Sequence, residues 1–359
     1  MRSIRVLIVD DSLVFREMLT RELVKEPGID VVGMASDPFE ARDRIIQLNP
    51  DVMILDVEMP KMNGIEFLRR LLPQHPIPVV VSSSIVGTVF DALDAGAVDF
   101  VAKPDSVGIR EDYVKELIEK IVGAAEAQVK LRNSFRARTL NTKTAPGKSP
   151  GIQAGANPLP GSPLFKYKEK IIAIGASTGG TEAILNLLIK LPEKVPGIAI
   201  VQHMPAGFTA FYAERLNKLC AFKVREAKDN DRLEPGMALV APGGDRQMKL
   251  VKDLKGYFVR LVEMDKVSGH RPSVDYLFDS VADAAGKNAI GVILTGMGAD
   301  GAKGLLKMRG KGAYTIGQDS DSCVVYGMPM AAYNIGAVMR QLPLDKISGE
   351  IIEWMKRET

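Results

Sequence analysis

Residues 170–181 read KIIAIGASTGGT, and they indicate how the second half of the chain folds. Its first part, 170–175, is a nearly continuous apolar run that predicts a short buried strand. The glycines that follow allow a sharp turn, and the amphipathic segment 181–191 then predicts a helix. A buried strand that leads directly into a helix is typical of a parallel sheet covered by helices on both faces. The stretch therefore predicts an α/β fold.

The same alternation of strand and helix continues to the C-terminus. Strands are expected at 170–175, 197–202, 237–241, 289–294 and 313–317. Helices are expected at 181–191, 209–219, 274–285, 301–309 and 347–357. Residues 251–263 carry the central turn DLKG and predict an antiparallel hairpin. The second half is therefore expected to be an α/β domain with a mostly parallel sheet and one antiparallel hairpin.

The first half of the chain shows the alternation on a smaller scale. Its strands are expected at 4–9, 31–35, 52–55, 79–82 and 99–102. Its helices are expected at 15–25, 38–48, 64–72 and 110–127. This pattern predicts an N-terminal, doubly wound domain with a five-stranded parallel sheet.

A linker separates the two halves. Residues 139–165 are dominated by Gly, Pro, Ser, Thr and Asn and have no helical or strand period. Residues 1–126 have a net charge of −8, residues 127–168 carry eight basic and no acidic side chains, and residues 169–359 have a net charge of +3. Within 139–165 no aromatic residue lies between the basic charges, so we expect a solvated tether and no nucleic-acid partner. The expected domains are 1–126 and 167–359, joined by a flexible basic linker at 127–166.

Rare residue types exclude several classes of protein. The chain has two cysteines and three histidines, so neither a disulfide framework nor a His-rich metal site is expected. No apolar run reaches the length of about 18 residues that a membrane span needs. The N-terminus carries no secretory signal pattern. We therefore expect a cytoplasmic protein that is not inserted into a membrane.

Acidic residues follow two of the strands predicted for the N-terminal sheet. Asp10 and Asp11 come after the first strand, and Asp56 comes after the third. Ser82–Ser84 follow the fourth strand, and Lys103 follows the fifth. Because the carboxyl ends of parallel strands meet at one edge of a sheet, these side chains are expected to converge. Carboxylate oxygens gathered in this way suit Mg²⁺, and an aspartate can accept a phosphoryl group covalently.

These residues resemble the receiver domain of two-component response regulators over about residues 3–123. The resemblance implies phosphorylation by a histidine kinase, with Mg²⁺ as cofactor. It places the phosphoacceptor on Asp56 and the Mg²⁺ ligands on Asp10, Asp11 and Asp56. It also implies a supporting hydroxyl at Ser83, a supporting lysine at Lys103 and an aromatic switch residue at Phe100. The cis peptide bond of the family would be Lys103–Pro104. The segment 84–95 is short for the fourth helix of this family.

The motif GASTG at 175–179 places Ser177 in a G-x-S-x-G turn between a strand and a helix. Such a turn can expose a serine nucleophile. A glycine-rich turn can alternatively bind a phosphate, but neither the Rossmann spacing nor the P-loop spacing is present. His203 ends the next predicted strand, where it would reach the same edge as Ser177 and act as its general base. His270 is the rival histidine, and it is interpreted as a structural or substrate-contacting loop residue.

A buried carboxylate should orient the histidine. Asp300 lies in GMGADG at 296–301, after another strand, and is expected at the same edge. Asp319 also follows a strand and is a competitor, whereas Asp275 is better explained as a helix-capping residue. The order Ser, His, Asp differs from that of the α/β-hydrolases, which argues against that fold.

The motifs GASTGG, QHMPAGFT, APGG, HRPSVD and TGMGADG together resemble the catalytic domain of chemotaxis protein-glutamate methylesterases, over about 167–357. The resemblance implies a catalytic triad of Ser177, His203 and Asp300 and an oxyanion-binding backbone N–H at Met297. It implies hydrolysis of glutamate methyl esters on methyl-accepting chemotaxis receptors, glutamine deamidation, and no cofactor for the ester reaction. We further expect the unphosphorylated receiver to cover the Ser177 edge, with phosphorylation of Asp56 loosening that contact.

Two other classes of function have specific sequence requirements. A DNA-binding response regulator would need a basic recognition helix, and none is found between 169 and 359. A dinucleotide-dependent oxidoreductase would use the turn at 175–180 to bind a pyrophosphate. This turn lacks both the G-x-G-x-x-G pattern and an acidic residue placed to bind the ribose. Both are therefore less well supported than an ester hydrolase.

Overall fold

The computed structural model describes residues 2–104, 111–138 and 167–357, with side chains described up to 127 in the second of these ranges. Contacts between Cα atoms divide the chain into two compact units, Met1–Thr144 and Ala145–Thr359. The expected linker at 139–165 lies outside the described residues. The domain boundaries at 126 and 167 accordingly stay predictions.

The first unit contains a five-stranded parallel sheet with strand order β2-β1-β3-β4-β5. The strands are β1 Ile4–Val9, β2 Ile29–Ala35, β3 Val52–Asp56, β4 Val79–Ser83 and β5 Asp99–Ala102. The helices are α1 Leu13–Leu23, α2 Pro38–Leu48, α3 Gly64–Leu71, α4 Val86–Asp94 and α5 Glu111–Arg138. The expected doubly wound, five-stranded receiver fold is confirmed. At nine residues, α4 is as short as the sequence indicated.

Local sequence signals explain where the first three helices begin. The side chains of Ser12, Asp37 and Asn63 accept hydrogen bonds from backbone N–H groups at the starts of α1, α2 and α3. These bonds satisfy donors that a helix leaves unpaired in its first turn. Pro38 occupies the first turn of α2, where its missing N–H is not needed. The polar residues that end each loop therefore also start the next helix.

Helix α5 is longer than the sequence analysis predicted. We expected it to end near 127, but it continues to Arg138. Residues 128–138 read VKLRNSFRAR after Gln128 and contain neither glycine nor proline, so nothing in the backbone chemistry stops the helix there. The basic composition of this segment was mistaken for the start of the linker.

A buried ion pair fastens α5 to the sheet. Lys120 Nζ lies 2.8 Å from Asp99 Oδ2, and both side chains are almost fully buried. Replacing Asp99 with alanine leaves the Lys120 ammonium buried without its partner. We expect Asp99→Ala to reduce the free energy of unfolding of the first unit by about 3–5 kcal/mol.

Urea unfolding followed by circular dichroism would measure this loss. The single tryptophan, Trp354, lies in the second unit, so its fluorescence transition should not move. Asp43→Ala is the matched control because Asp43 forms an exposed ion pair with Arg42. Its effect should stay within about 0.5 kcal/mol. Equal effects of the two substitutions would contradict a stabilising role for the buried pair.

The second unit contains a seven-stranded sheet in which every neighbouring pair is parallel, with order β14-β13-β12-β6-β7-β9-β8. Its strands are β6 Ile171–Ala176, β7 Gly197–Gln202, β8 Lys223–Glu226, β9 Met237–Val240, β12 Ala289–Ile293, β13 Tyr314–Gln318 and β14 Arg340–Leu342. Its helices are α6 Gly180–Leu188, α7 Phe208–Leu219, α8 Val274–Ala285, α9 Ala302–Gly310, α10 Met328–Asn334 and α11 Leu344–Lys356.

The antiparallel hairpin forms a separate two-stranded sheet. Its strands, β10 Arg246–Asp253 and β11 Gly256–Glu263, are joined by a turn at 254–255, inside the predicted DLKG turn. The hairpin starts at Arg246, five residues before the predicted start at 251. The sequence analysis missed this first part because charged residues interrupt the apolar alternation of β10. With this hairpin beside a parallel sheet, the expected architecture of the second domain is confirmed.

The sequence analysis did not predict two short edge strands. β8 reads KVRE and β14 reads RQL, so neither carries the apolar run that marks a buried strand. Both lie at the outer edges of the sheet, where charged residues are tolerated and protect against unwanted pairing. The central strands β6, β7 and β12 are completely buried and form the middle of the core. Among the described helices, none has both the length and the apolar character that crossing a membrane requires.

Candidate functional site

The strand order of the second sheet places three loops side by side. From β6 the chain proceeds to β7 on one side and later returns to β12 on the other side. The carboxyl ends of β6, β7 and β12 therefore flank the point where the strand order reverses. In open α/β sheets this is the usual position of a ligand site. Ser177, His203 and the loop that ends at Asp300 follow these three strands, as the sequence analysis predicted.

Ser177 is the first residue after β6 and is almost fully buried. Its backbone N–H donates to the carbonyl of Thr295, 3.0 Å away, in the loop after β12. Its carbonyl accepts from Gln202 Nε2 at 2.9 Å. Gly179 then turns the chain into α6 with a φ of 73°, a left-handed conformation that favours glycine. The backbone around Ser177 is thus tied to both neighbouring strands.

His203 and Asp300 form a buried pair. His203 Nε2 lies 2.8 Å from Asp300 Oδ2, and 8% of the His203 side chain and none of the Asp300 side chain is exposed to solvent. The backbone N–H of His203 donates to the carbonyl of Ala176, which keeps the histidine beside the turn that carries Ser177. The structure therefore brings the predicted base and the predicted orienting acid into direct contact.

Four donors surround the Asp300 carboxylate. Besides His203, they are the Ser273 hydroxyl at 2.8 Å and the backbone N–H groups of Val274 and Asp275 at 2.7 and 2.9 Å. Burial by itself would raise the pKa of Asp300, but the hydrogen bonds from His203 and these backbone groups outweigh it and lower the pKa. Asp300 is therefore held as a carboxylate, the form that orients a histidine.

The second nitrogen of His203 is available for chemistry. His203 Nδ1 is buried and makes no hydrogen bond with any described residue. No hydrogen bond joins the Ser177 hydroxyl to His203 in the structure, although both residues are described. The predicted contact between nucleophile and base is therefore not formed, and only the proximity of the two loops is observed.

Two backbone N–H groups near Ser177 have no acceptor among the described residues. They belong to Thr178, directly after the serine, and to Met297, the position expected from the family resemblance. Gly296 brings the Met297 loop close, because a Cβ atom added to Gly296 would lie 2.8 Å from Ser177 Cβ. Glycine is thus required at 296 for this close approach.

The carboxylates of the two alternative site residues bond groups other than His203. Asp319 Oδ1 accepts from the N–H and hydroxyl of Ser322, so it closes a turn of its own. Asp275 caps a helix, as expected, but the helix is α9 and not its own: its Oδ1 accepts from the backbone N–H of Gly304. Ser273 is the residue that caps α8.

His270 is closer to the site than the sequence analysis indicated. Its ring stacks on that of His203, with centroids 3.8 Å apart and planes inclined by 12°. The analysis also missed the roles of Gln202 and Ser273, which bond the Ser177 carbonyl and the Asp300 carboxylate. A polar residue at the end of an apolar strand was the available signal for Gln202. Ser273 lies within the HRPSVD motif at 270–275.

In the first unit, Lys103 joins two buried carboxylates. Its Nζ lies 2.6 Å from Asp10 Oδ2 and 2.6 Å from Asp56 Oδ2. Burial raises the pKa of Asp10, and the hydrogen bond from Lys103 offsets only part of this effect. Burial alone would lower the pKa of Lys103, but the bonds to Asp10 and Asp56 outweigh it and raise the pKa.

The predicted metal ligands also converge. Asp10, Asp11 and Asp56 each offer one oxygen atom, and these atoms lie within 4.8 Å of one another. A set of carboxylate oxygens with one exposed member, Asp11, fits Mg²⁺, which takes few protein ligands and keeps several waters. The residues present therefore fit the expected ion.

The other receiver residues lie near this cluster in the sheet. Ser83, at the end of β4, bonds Thr88 through its hydroxyl at 3.2 Å and accepts from the N–H of Ile85 at 3.1 Å. Phe100 in β5 is buried, with its ring edge-to-face with Phe90. The expectation of a cis bond at Lys103–Pro104 was wrong: the cis peptide bond of the described residues is Arg271–Pro272.

Comparison with known proteins finds relatives for both halves of the chain. The family model for the CheB methylesterase matches residues 172–351, and that for the response regulator receiver domain matches residues 6–111. A relative from Syntrophomonas wolfei, named protein-glutamate methylesterase/protein-glutamine glutaminase 2, is 52% identical over 97% of this chain and 96% of its own length. A relative from Syntrophotalea carbinolica, named protein-glutamate methylesterase/protein-glutamine glutaminase, is 47% identical over 98% of each chain.

A solved structure resembles the second unit. The crystal structure of the Thermotoga maritima CheB methylesterase catalytic domain matches with a TM-score of 0.50 and 39% identity, covering 52% of this chain and 98% of that one. The full-length relatives share both halves of the chain in the same order. On these matches, the chain belongs to the CheB methylesterase family, with a response regulator receiver domain preceding the methylesterase domain.

Proposed function

We propose that this chain hydrolyses methyl esters of glutamate side chains on chemotaxis receptors, using Ser177, His203 and Asp300 as a catalytic triad. The observation that carries the proposal is the buried His203–Asp300 bond beside the Ser177 turn, with His203 Nδ1 left without a partner. Asp300 holds Nε2 in its protonated form, so Nδ1 is the nitrogen that can accept a proton. The names of the full-length relatives support the glutamate ester as substrate.

The reaction divides into two steps. The Ser177 hydroxyl attacks the ester carbonyl while His203 takes its proton, and the tetrahedral intermediate then collapses. The C–OCH₃ bond breaks, and methanol leaves with the proton from His203. Water then attacks the glutamyl ester on Ser177, His203 again serving as base, which releases the glutamate carboxyl group and restores the serine.

The backbone N–H groups of Thr178 and Met297 suit the stabilisation of the intermediate. Each is unpaired within the described residues, and each belongs to a loop that contacts Ser177. Donors that are fixed before the reaction stabilise a developing oxyanion by about 3–4 kcal/mol each in other enzymes. The same machinery can cleave a primary amide with release of ammonia, so we propose glutamine deamidation as a second activity.

The first unit is proposed to control this activity. Asp56 would accept a phosphoryl group from a chemotaxis histidine kinase, and Asp10, Asp11 and Asp56 would hold a Mg²⁺ ion, which would supply positive charge beside the phosphoryl group. Lys103, already bonded to Asp56, would then bind a phosphoryl oxygen. Ser83 and Phe100 are proposed to read the change, as the supporting hydroxyl and the aromatic switch.

We expect a phosphodonor such as acetyl phosphate, with Mg²⁺, to raise methanol release by the full chain about 5–150-fold, the usual range of coupling between two sites. Asp56→Asn should remove this increase and leave the basal rate in place. Asp30→Asn, an exposed aspartate on the neighbouring strand β2, is the matched control and should keep the full response. Equal stimulation of the wild type and Asp56→Asn would contradict control through Asp56.

The substrate assignment is tested separately from regulation. The measurement is methanol release from a methylated chemoreceptor fragment by the full chain, alongside the Ser177→Ala variant. Ammonia release from the same fragment, carrying glutamine in place of the methyl ester, tests the deamidase activity. We further propose that the chain acts in the cytoplasm, where the kinase and the receptor glutamates would both be accessible.

A further inference from the structure

We propose that His270 is a positioning residue for the reaction: its ring packs face to face on His203 and fixes the plane of the catalytic imidazole. This inference deepens the proposed function and rests on it. The two rings are 3.8 Å apart and nearly parallel, so they are in full van der Waals contact. Asp300 bonds only one atom of the His203 ring, Nε2, which lies on the side away from Cβ, so this bond restrains rotation of the ring about Cβ–Cγ only weakly. A flat group on one face removes this freedom.

His270 is presented by a tight turn. The backbone groups of Val267 and His270 bond each other in both directions, at 3.1 and 2.9 Å. The two central residues, Ser268 and Gly269, have φ angles of 52° and 84°. Positive φ at both positions is the hairpin geometry that normally selects Asn-Gly or Gly-Gly. Serine in the first position is strained in this left-handed conformation, so the turn needs stabilisation from outside.

Asp275 supplies that stabilisation. The Ser268 hydroxyl donates to Asp275 Oδ2 at 2.8 Å, which secures the strained residue to α8. The backbone N–H of Asp275 donates to Asp300 Oδ1 at 2.9 Å. One residue therefore bonds both the acid that orients His203 and the turn that carries His270. Asp275 therefore fixes the position of the turn that carries His270 relative to Asp300.

The flanking residues immobilise His270 on its other side. Gln247 is completely buried, and its Nε2 donates to the His270 carbonyl at 2.9 Å while its Oε1 accepts from the N–H of Ser273 at 2.7 Å. Arg271 donates to the carbonyls of Gly244 and Met264, both at 2.8 Å. Gln247 therefore fixes the backbone of His270, and Arg271 fixes the position of the residue that follows it.

The mechanical role predicts a specific pattern among variants. His270→Ala removes the stacked ring, and kcat for methanol release should fall about 10–100-fold, since a displacement of about 1 Å at a reacting group can cost 10²-fold. KM should stay nearly constant because a positioning residue acts on the chemical step. His270→Phe keeps a flat ring without nitrogen atoms, and it should recover most of kcat. His75→Ala, an exposed histidine of the first unit, is the matched control and should have no effect.

A second measurement does not depend on catalysis. The chain has three histidines, so the ¹⁵N spectrum of imidazole nitrogens contains three rings. In the Ser177→Ala background, His270→Ala should change the Nδ1 and Nε2 resonances of His203, whereas His270→Phe should restore positions close to those of the parent. Thermal unfolding of the same variants would show whether the fold is intact.

The outcomes separate this inference from the proposed function. Full hydrolysis by Ser177→Ala would overturn the triad, and the ¹⁵N spectrum would still decide whether His270 positions His203. A wild-type kcat for His270→Ala, with Ser177→Ala inactive, would overturn the positioning role alone. If His270→Phe were as impaired as His270→Ala, a ring nitrogen would be required, and positioning by stacking would be wrong.

Discussion

Replacing Ser177 with alanine is expected to reduce methanol release from a methylated chemoreceptor by about 10⁴–10⁶-fold, the loss seen when a triad serine is removed from other hydrolases. The reason is that the reaction needs a covalent intermediate on the serine oxygen, and alanine offers no nucleophile. His203 and Asp300 would still form their 2.8 Å bond, but they would have no proton to accept from residue 177. Any remaining rate would come from water and from the oxyanion donors.

The structure allows a sharp control for this variant. Ser320 is an exposed serine just beyond the carboxyl end of β13, at the same edge of the sheet. Ser320→Ala should therefore leave methanol release unchanged. Ser177→Ala removes one hydroxyl that forms no hydrogen bond within the described residues, so its unfolding temperature should stay close to that of the wild type. Undiminished hydrolysis by a folded Ser177→Ala variant would exclude the triad.

A covalent probe tests directly whether the Ser177 hydroxyl is the nucleophile. A fluorophosphonate should add to the wild-type chain at Ser177, detected by mass spectrometry of the modified peptide, and should not add to Ser177→Ala. Modification at another serine in both proteins would show that Ser177 is not the activated hydroxyl. This experiment needs no receptor, so it tests the nucleophile independently of the proposed substrate.

The strand-end rule predicted much of the site from sequence. Ser177, His203 and Asp300 each follow a buried strand, and parallel strands deliver such residues to one edge of the sheet. The same rule gathered Asp10, Asp56 and Lys103. The rule works because a strand can be recognised from a local pattern of residues. A parallel sheet then brings the residues that follow its strands close together in space.

The contacts between loops could not be predicted in this way. The stacking of His270 on His203 depends on a turn after the hairpin, whose position is set by Gln247, Asp275 and Arg271 through bonds that span many residues. No local period encodes such bonds. The same reason explains why Asp275 was assigned to the wrong helix: the sequence shows that it can cap a helix, but not that the start of α9 lies next to it.

Replacing Asp300 with asparagine is expected to lower kcat about 10⁴-fold, although the two side chains have almost the same shape. All four partners of Asp300 donate hydrogen bonds, and they are divided between its two oxygens. An asparagine has one oxygen and one NH₂ group, so in either orientation its NH₂ faces a backbone donor, that of Val274 or that of Asp275. One buried donor is then left unsatisfied, which should cost about 1–3 kcal/mol of folding stability.

The catalytic loss has a further cause in the histidine itself. If the NH₂ group faces His203, it donates to Nε2, and the ring proton must move to Nδ1. Nδ1 is the nitrogen without a partner, the one proposed to accept the proton of Ser177. A protonated Nδ1 cannot act as base. Asp319→Asn is the matched control, because the Asp319 bonds to Ser322 use a single oxygen that asparagine retains, and kcat should not change.

The pH dependence of stability distinguishes the carboxylate from its amide. The pKa of the Asp300 carboxyl group is lowered in the folded chain, so at a given acidic pH this group binds fewer protons in the folded than in the unfolded state. Its contribution to stability is therefore complete above the unfolded pKa of about 3.9 and is lost as the pH falls through the lower, folded value. The stability difference between the wild type and Asp300→Asn should accordingly be constant near neutral pH and shrink in acid. A difference that grows in acid, or a variant with wild-type kcat, would show that Asp300 is not the charged partner of His203.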